Sequence, residues 1–345
     1  MTYLFVAQQF FTFDRWLGAK PVGNGHINDT YKIEFEKDGK THAFLLQRLN
    51  DHIFHHPEAV MENIRKISDF LSGADYPYQI THPVTTLAGT LSFQDTIGNS
   101  WRVFPFIPNS YVPEGQVSPE IAFEAAQAYG AFARALRHFP AEELSETIPG
   151  FHDTERRWKV FEQILEQDPA QRAQDSSAEI AALQEARPVF EKIARMKKSG
   201  GLPLRVTHND TKAGNVLFDK DTNKALAVID LDTVMPGTIL SDFGDMVRTF
   251  APDREEDDPE AVQLREDILD ALTEGFLSQT ADFLTETERK YLLYGAAWMT
   301  GEQALRFLTD WLAGDVYYKI QNPEHNLVRA RNQLALFRVI LAKCT

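Results

Sequence analysis

The sequence predicts an α+β protein of two lobes: a β-rich N-terminal lobe over residues 1–107, ending in a hinge, and a mainly helical C-terminal lobe over residues 108–345. Three observations point there. Two-residue alternation and tight-turn signals fill the first hundred residues. Apolar residues at helical spacing dominate after residue 118. A short β-rich patch around residues 204–229 interrupts those helices. A chain of 345 residues, 43% hydrophobic and 25% charged, has room for about two domains of ordinary globular composition.

In chain order, Tyr31-Lys32-Ile33-Glu34-Phe35 alternates as a half-buried strand does, and Asp38-Gly39 marks a tight turn. Residues 43–49 supply the partner strand of a hairpin. Val60, Ile64, Ile67 and Leu71 recur every three or four positions, which predicts a helix over 57–71. Residues 87–93 and 100–106 read as two more strands, parted by a turn at 95–99. A connector rich in Pro and Asn, 105–113, follows. Ser118 and Pro119 offer an N-cap and a first-turn proline before Ile121, Ala125, Phe132 and Leu136. Helices are also expected over 158–165 and 180–196. The β-patch comprises 204–207, 216–218 and 225–229. Helices resume from Pro259, and Asn322-Pro323 opens the last one.

Acidic residues number 50 against 35 basic ones, a net charge of −15. That excludes nucleic acid as the main partner and disfavours anionic membranes, since both are bound by basic surface. A small anionic ligand stays open, because a metal ion and a few local donors overcome a global field. The one cysteine, Cys344, can make no internal disulfide and no zinc cluster. The first residues lack the basic and apolar segments of a signal peptide. The uncharged run 76–94 is too polar to span a membrane. A cytoplasmic location is therefore expected; oligomeric state is not legible.

The chemistry concentrates in Val206-Thr-His-Asn-Asp-Thr-Lys-Ala-Gly-Asn215, whose skeleton is His208-x-Asp210-x-Lys212-x-x-Asn215. Asp230 follows fifteen residues later, closing the apolar run 225–229. Phosphoryl transfer needs a carboxylate for the attacking hydroxyl, hard oxygen ligands for a divalent cation and a charge-neutralising cation. Asp210, then Asn215 with Asp230, then Lys212 meet those needs. The spacing matches the catalytic loop of protein kinases. Two rivals remain on residues alone. One is a polar surface loop. The other is a metallohydrolase site on His208 and Asp210, for which no further histidines lie nearby. Asp242-Phe243-Gly244 imitates the metal-binding triplet of kinases, but it comes after Asp230 and runs into a helix. Asp242 is read as a helix cap or an anchor for the catalytic loop.

At these residues the chain resembles the aminoglycoside phosphotransferase and choline kinase branch of the kinase-like proteins. It is closer still to the N-acetylhexosamine 1-kinases. The segments that carry this are 23–28, 44–50, 204–212, 229–237, 242–245, 314–317 and 323–329, spread over nearly the whole chain. The resemblance implies a bilobal protein-kinase-like fold that binds ATP and Mg²⁺ in the cleft. Asp210 would be the base, with Lys212 beside it, and Asn215 and Asp230 the metal ligands. The acceptor would be the anomeric hydroxyl of N-acetylglucosamine or N-acetylgalactosamine.

The resemblance implies further candidates. Gly23 and Gly25 lie where a phosphate-covering loop belongs, although Asn28 replaces the third glycine of that pattern. Gln47-Arg48 stands where kinases carry a phosphate-pairing lysine. Alternation puts the two on opposite faces, and Arg48 is the expected nucleotide contact. Glu62 is expected exposed. Phe106 belongs to the hinge, where adenine meets backbone. His26, Asn209, Arg306 and Tyr317 are the expected sugar contacts, while Trp298, Phe307 and Trp311 read as core. Two other readings stay open: a kinase of the same fold for choline, homoserine or an aminoglycoside, and a nucleotide-binding pseudoenzyme.

Overall fold

The computed structural model describes residues 2–23, 28–51, 53–258, 260 and 262–344. Helix α1 (Tyr3–Phe10) starts the chain, and Thr2 caps it by accepting the Phe5 N–H. Strands β1 (Arg15–Pro21), β2 (Asp29–Lys37) and β3 (Lys40–Arg48) form antiparallel hairpins. Helix α2 (Pro57–Ser72) follows, then β4 (Phe93–Gln94) and β5 (Ser100–Pro105). These strands make one five-stranded sheet in the order β1-β2-β3-β5-β4.

The two faces of this sheet differ in kind. Ile33, Leu46, Trp101 and Val103 pack against Val6, Ala7 and Phe10 of α1. That burial holds α1, whose own eight residues are too few to be stable alone. The opposite face carries Thr30, Gln47 and Arg102 at paired register positions and turns toward the rest of the molecule.

The remainder is mainly helical. Strand β6 (Ser110–Tyr111) is followed by helices α3 (Pro119–Ala135), α4 (Thr154–Gln167), α5 (Ser177–Gln184) and α6 (Arg187–Lys198). Strands β7 (Arg205–Thr207), β8 (Val216–Asp219), β9 (Ala225–Val228) and β10 (Met235–Gly237) form two small sheets, β10-β7 and β6-β8-β9. Helices α7 (Ile239–Phe250), α8 (Glu266–Thr280), α9 (Glu286–Ala313) and α10 (His325–Lys343) complete the chain. Thr285 and Glu288 close a reciprocal capping box at the start of α9.

Several expectations are corrected. Helix α1 and strand β1 carry no clean periodicity and were not anticipated. The strand expected over 87–93 shortens to β4, because Gly89 has φ +84 and Thr86 and Thr90 bond across a turn. The single helix expected over 180–196 is two. Pro188 lacks an N–H and sits in the first turn of α6, which breaks the helix there. Residue 259 lies outside the described residues, and the helix after it begins at Glu266. Among the described residues no helix is long and apolar enough to cross a membrane.

Candidate active site

The catalytic-loop segment leaves β7 and returns in β8, and buried polar groups wire it in place. Asp242, in the first turn of α7, accepts the backbone N–H groups of His208 (2.9 Å) and Asn209 (2.8 Å). Thr211 Oγ1 donates to the Asp242 carbonyl at 2.7 Å, and Tyr129 Oη donates to the Lys212 carbonyl at 2.8 Å. The Asp-Phe-Gly letters therefore have structural roles. Asp242 anchors the loop, and Phe243 packs on Phe276 in the core. Gly244 lets α7 touch α9, because a Cβ there would lie 2.4 Å from the Gly295 carbonyl oxygen.

His208 is fully buried. Its Nε2 donates to the Ile229 carbonyl at 3.0 Å, tying the loop to the residue before Asp230. Burial pushes its pKa below the ordinary histidine value, so the ring is neutral at pH 7. Asn215 receives the Ile229 N–H on its backbone carbonyl at 2.9 Å. These two bonds bring Asn215 and Asp230 toward one place despite fourteen intervening residues.

Lys212 Nζ lies 2.7 Å from Asp210 Oδ2, and Asn215 Nδ2 donates to the same oxygen at 2.8 Å. Among the described residues no donor reaches Asp210 Oδ1, and about a quarter of the side chain, 26%, is exposed. Crowding by protein would raise the Asp210 pKa. The charge and hydrogen bond of Lys212 outweigh that and hold it below the usual carboxylate value. Lys212 also loses water, but Asp210 keeps it protonated.

Asp230 takes a left-handed conformation, φ +60, which costs energy in a residue with a Cβ. Its surroundings of protein, with Asp232 and Asp210 close by, push its carboxyl up to about 7. A divalent cation would relieve this concentration of negative charge. The donor types suit Mg²⁺, which takes one or two protein oxygens and completes its shell with phosphate and water. Among the described residues no group of three His, Cys, Asp or Glu is placed to hold a metal unaided.

The other expected site residues fall into three groups. Gly23 sits at the end of β1 with φ +72, a conformation glycine adopts freely; Gly25 and His26 lie outside the described residues. Phe106 is half-buried beneath Lys32, whose Nζ is 4.6 Å from its ring. Arg306 donates to Gln303 Oε1 at 3.1 Å and lies over Phe151 and Tyr318, while Tyr317 is 62% exposed.

Two expected contacts change. Arg48 pairs with Asp29 on the α1 side of the sheet, whereas Gln47 occupies the opposite face. Alternation puts Gln47 on the face toward the helical part and Arg48 on the face covered by α1. Asn209 is 5% exposed and turns its amide inward. It donates to Thr207 and Thr233 carbonyls and accepts from Thr207 Oγ1, so it braces the loops instead of offering donors to a substrate.

Residues that sequence reasoning missed surround the site. Arg248 pairs with Asp245 at 2.7 Å and is near enough to Asp210 and Arg306 to feel both charges. Glu302 is buried, accepting from Thr154 and bonded to His152 Nδ1 at 2.8 Å. Burial opposes its charge, yet His152 and Arg157 hold its pKa down at about 2. Lys32 was read only as an alternating strand residue. Arg102, an arginine inside an otherwise apolar strand, was the one visible signal.

A β-sheet lobe over helices, with an Asp-Lys-Asn loop facing a strained Asp, defines a protein of the kinase-like class. The chain belongs to the phosphotransferase enzyme family, whose sequence pattern matches residues 18–277. It is 27% identical over 205 residues to an uncharacterised kinase-like protein from Caenorhabditis elegans, covering 49% of this chain and 52% of that one. The chain thus spans about half the length of the curated relative it matches. Its fold superposes on a microcompartment-associated aminopropanol kinase with a TM-score of 0.70 at 17% identity, covering 99% and 98% of the two chains. The AMP-bound spectinomycin phosphotransferase gives 0.58 at 14% identity, covering 98% of each.

Proposed function

We propose that this chain is an ATP- and Mg²⁺-dependent kinase whose acceptor is the anomeric 1-OH of N-acetylglucosamine or N-acetylgalactosamine. The observation that carries phosphoryl transfer is the geometry of Asp210. Two donors converge on Oδ2 and leave Oδ1 open to an incoming hydroxyl. Asp210 Oδ1 accepts the hydroxyl proton as the sugar oxygen bonds to the γ-phosphorus. The bond from that phosphorus to the bridging oxygen breaks, and ADP leaves. Lys212 stays protonated beside the reacting oxygens. Asn215 and Asp230 would hold Mg²⁺, which supplies charge neutralisation on the phosphates when bound. Gly23 and the backbone around Phe106 belong to the nucleotide side of this reading.

The acceptor preference is supported by charge. Arg306 and Arg157 lie beside Phe151, Tyr317 and Tyr318; of the buried acids there, Glu302 is paired with Arg157 and hydrogen-bonded to His152, and Asp310 is occupied by the backbone N–H groups of Val316, Tyr317 and Tyr318 and the Asn326 amide. An ammonium group would meet guanidinium charge, whereas a neutral acetamido sugar finds donors beside aromatic faces. The resemblance of segments 23–28, 314–317 and 323–329 to the hexosamine kinases supports an acceptor of that class.

The test is ADP release with ATP and Mg²⁺ over N-acetylglucosamine, N-acetylgalactosamine, glucose, choline, homoserine, aminopropanol and kanamycin. Turnover of an acetamido sugar that disappears in Asp210→Ala is expected, with phosphorus NMR placing the phosphate at C1. Activity confined to a cationic alcohol overturns the acceptor, and nucleotide binding without turnover overturns the kinase.

A further inference from the structure

The cleft face of the sheet carries a polar ladder that ends on Asp232, two residues beyond Asp230. Thr30 of β2 accepts from Gln47 Nε2 at 3.0 Å, and Gln47 Oε1 accepts from Arg102 Nε at 3.0 Å. Arg102 then grips both oxygens of Asp232, Nη2 reaching Oδ2 at 2.9 Å and Nη1 reaching Oδ1. Asn28, where the glycine-containing loop re-enters β2, donates to Asp232 Oδ2 at 2.8 Å and accepts the Asn50 N–H at 3.0 Å. The Arg102 and Asp232 side chains are 2% and 3% exposed. A charged pair withdrawn so far from water is kept at a desolvation cost that packing by apolar residues would avoid.

The placement gives that cost a purpose. Three neighbouring strands of the sheet each contribute one member, and the loop that would cover the phosphates contributes Asn28. All converge on the turn that presents Asp230. The position where kinases carry a lysine holds Gln47, whose amide bonds Thr30 and braces Arg102.

Resting on the kinase reading above, we propose that Asp232 and Arg102 are positioning residues for the nucleotide–metal site. Asp232 is committed to Arg102 and Asn28 and ligates no metal. It draws the Asp230 turn against the sheet and so sets the metal-bearing carboxylate. Residues that orient a metal ligand typically change metal affinity by about tenfold or more when removed.

The test is calorimetric titration of ADP, with and without Mg²⁺, into the wild-type chain, Asp232→Asn, Arg102→Met and the double variant Arg102→Met/Asp232→Leu. Thermal midpoints are recorded alongside. The double variant removes both charges, so neither is left buried and unpaired, and it is expected to unfold near the wild-type midpoint. In it the gain in ADP affinity conferred by Mg²⁺ should fall about tenfold or more, while metal-free ADP affinity changes less than about twofold. If the double variant retains the full Mg²⁺ effect, the pair is packing only and the proposal is overturned. If both ADP affinities fall together, the junction shapes the nucleotide pocket as a whole, and the proposal is again overturned. A wild-type chain that binds ADP with no Mg²⁺ effect, or binds none, fails the kinase reading itself and removes the ground of this one.

Discussion

The catalytic loop and the proposed acceptor side of the site differ in what their side chains meet. Around Asp210 the backbone itself is tied down: Asp242, Thr233, Tyr129 and Asn209 all bond main-chain groups of residues 207–212 or 233. Around Arg306 the neighbouring backbone is tied as well, since Asp310 accepts the N–H groups of Val316, Tyr317 and Tyr318, but the Arg306 side chain meets other side chains, Phe151, Tyr318 and Gln303, and Tyr317 stands largely in solvent. Backbone wiring holds reacting atoms in place, whatever substrate arrives. Side-chain contacts can be exchanged without disturbing the loop. The contrast explains how one loop can serve a family while acceptors vary.

The sharpest way to break the comparison is to remove the proposed base. Asp210→Asn is expected to lower kcat by roughly 10²–10⁴-fold with ADP affinity kept, measured by ADP release and calorimetry. A loss of folding instead would show that the loop is not independently braced.

Asp242→Ala attacks the wiring. It strands two buried N–H groups, each costing about 1–3 kcal/mol, and should lower the denaturation midpoint markedly. Asp242 also predicts a pH signature. Burial pushes its carboxyl up to about 7, above its unfolded value. The folded chain therefore holds this proton more tightly, an advantage complete below about pH 4 and lost as pH rises through about 7. Urea unfolding across this range should show wild type losing stability with rising pH more steeply than Asp242→Asn.

Gly244→Ala tests the helix crossing beneath the loop. A methyl 2.4 Å from the Gly295 carbonyl forces α7 from α9, at a cost of about 1–3 kcal/mol in thermal unfolding.

On the acceptor side, Arg306→Met should raise the acceptor KM by roughly tenfold, the loss of one charge-assisted hydrogen bond, with the ATP KM unmoved. The smallest effect belongs to Arg48→Met. Its pair with Asp29 is half in solvent, so stability should stay within about 0.5 kcal/mol and ATP KM should not change. A large rise in ATP KM there would return Arg48 to the nucleotide site.

The legible part of the molecule is local. Hairpin β2–β3, helices α2 and α3 and the Asp210-Lys212-Asn215 spacing declare themselves through period, turn residues and fixed intervals. Helix α1 escaped because its burial comes from the sheet behind it and not from its own pattern. Arg48 and Gln47 were indistinguishable because strand alternation separates two faces without saying which one is covered.

The sequence by itself determined which residue types stand at which spacing, and hence the two-lobed α+β plan and the chemistry of the loop. Only the tertiary structure decided who meets whom across 130 residues, as Arg102 meets Asp232, or that Asp242 is buried and serves backbone while Asp230 stays exposed. Short-range order follows from backbone geometry and period. Long-range partnership depends on how whole elements pack, and that is settled by the sum of burial and hydrogen bonding over the folded chain.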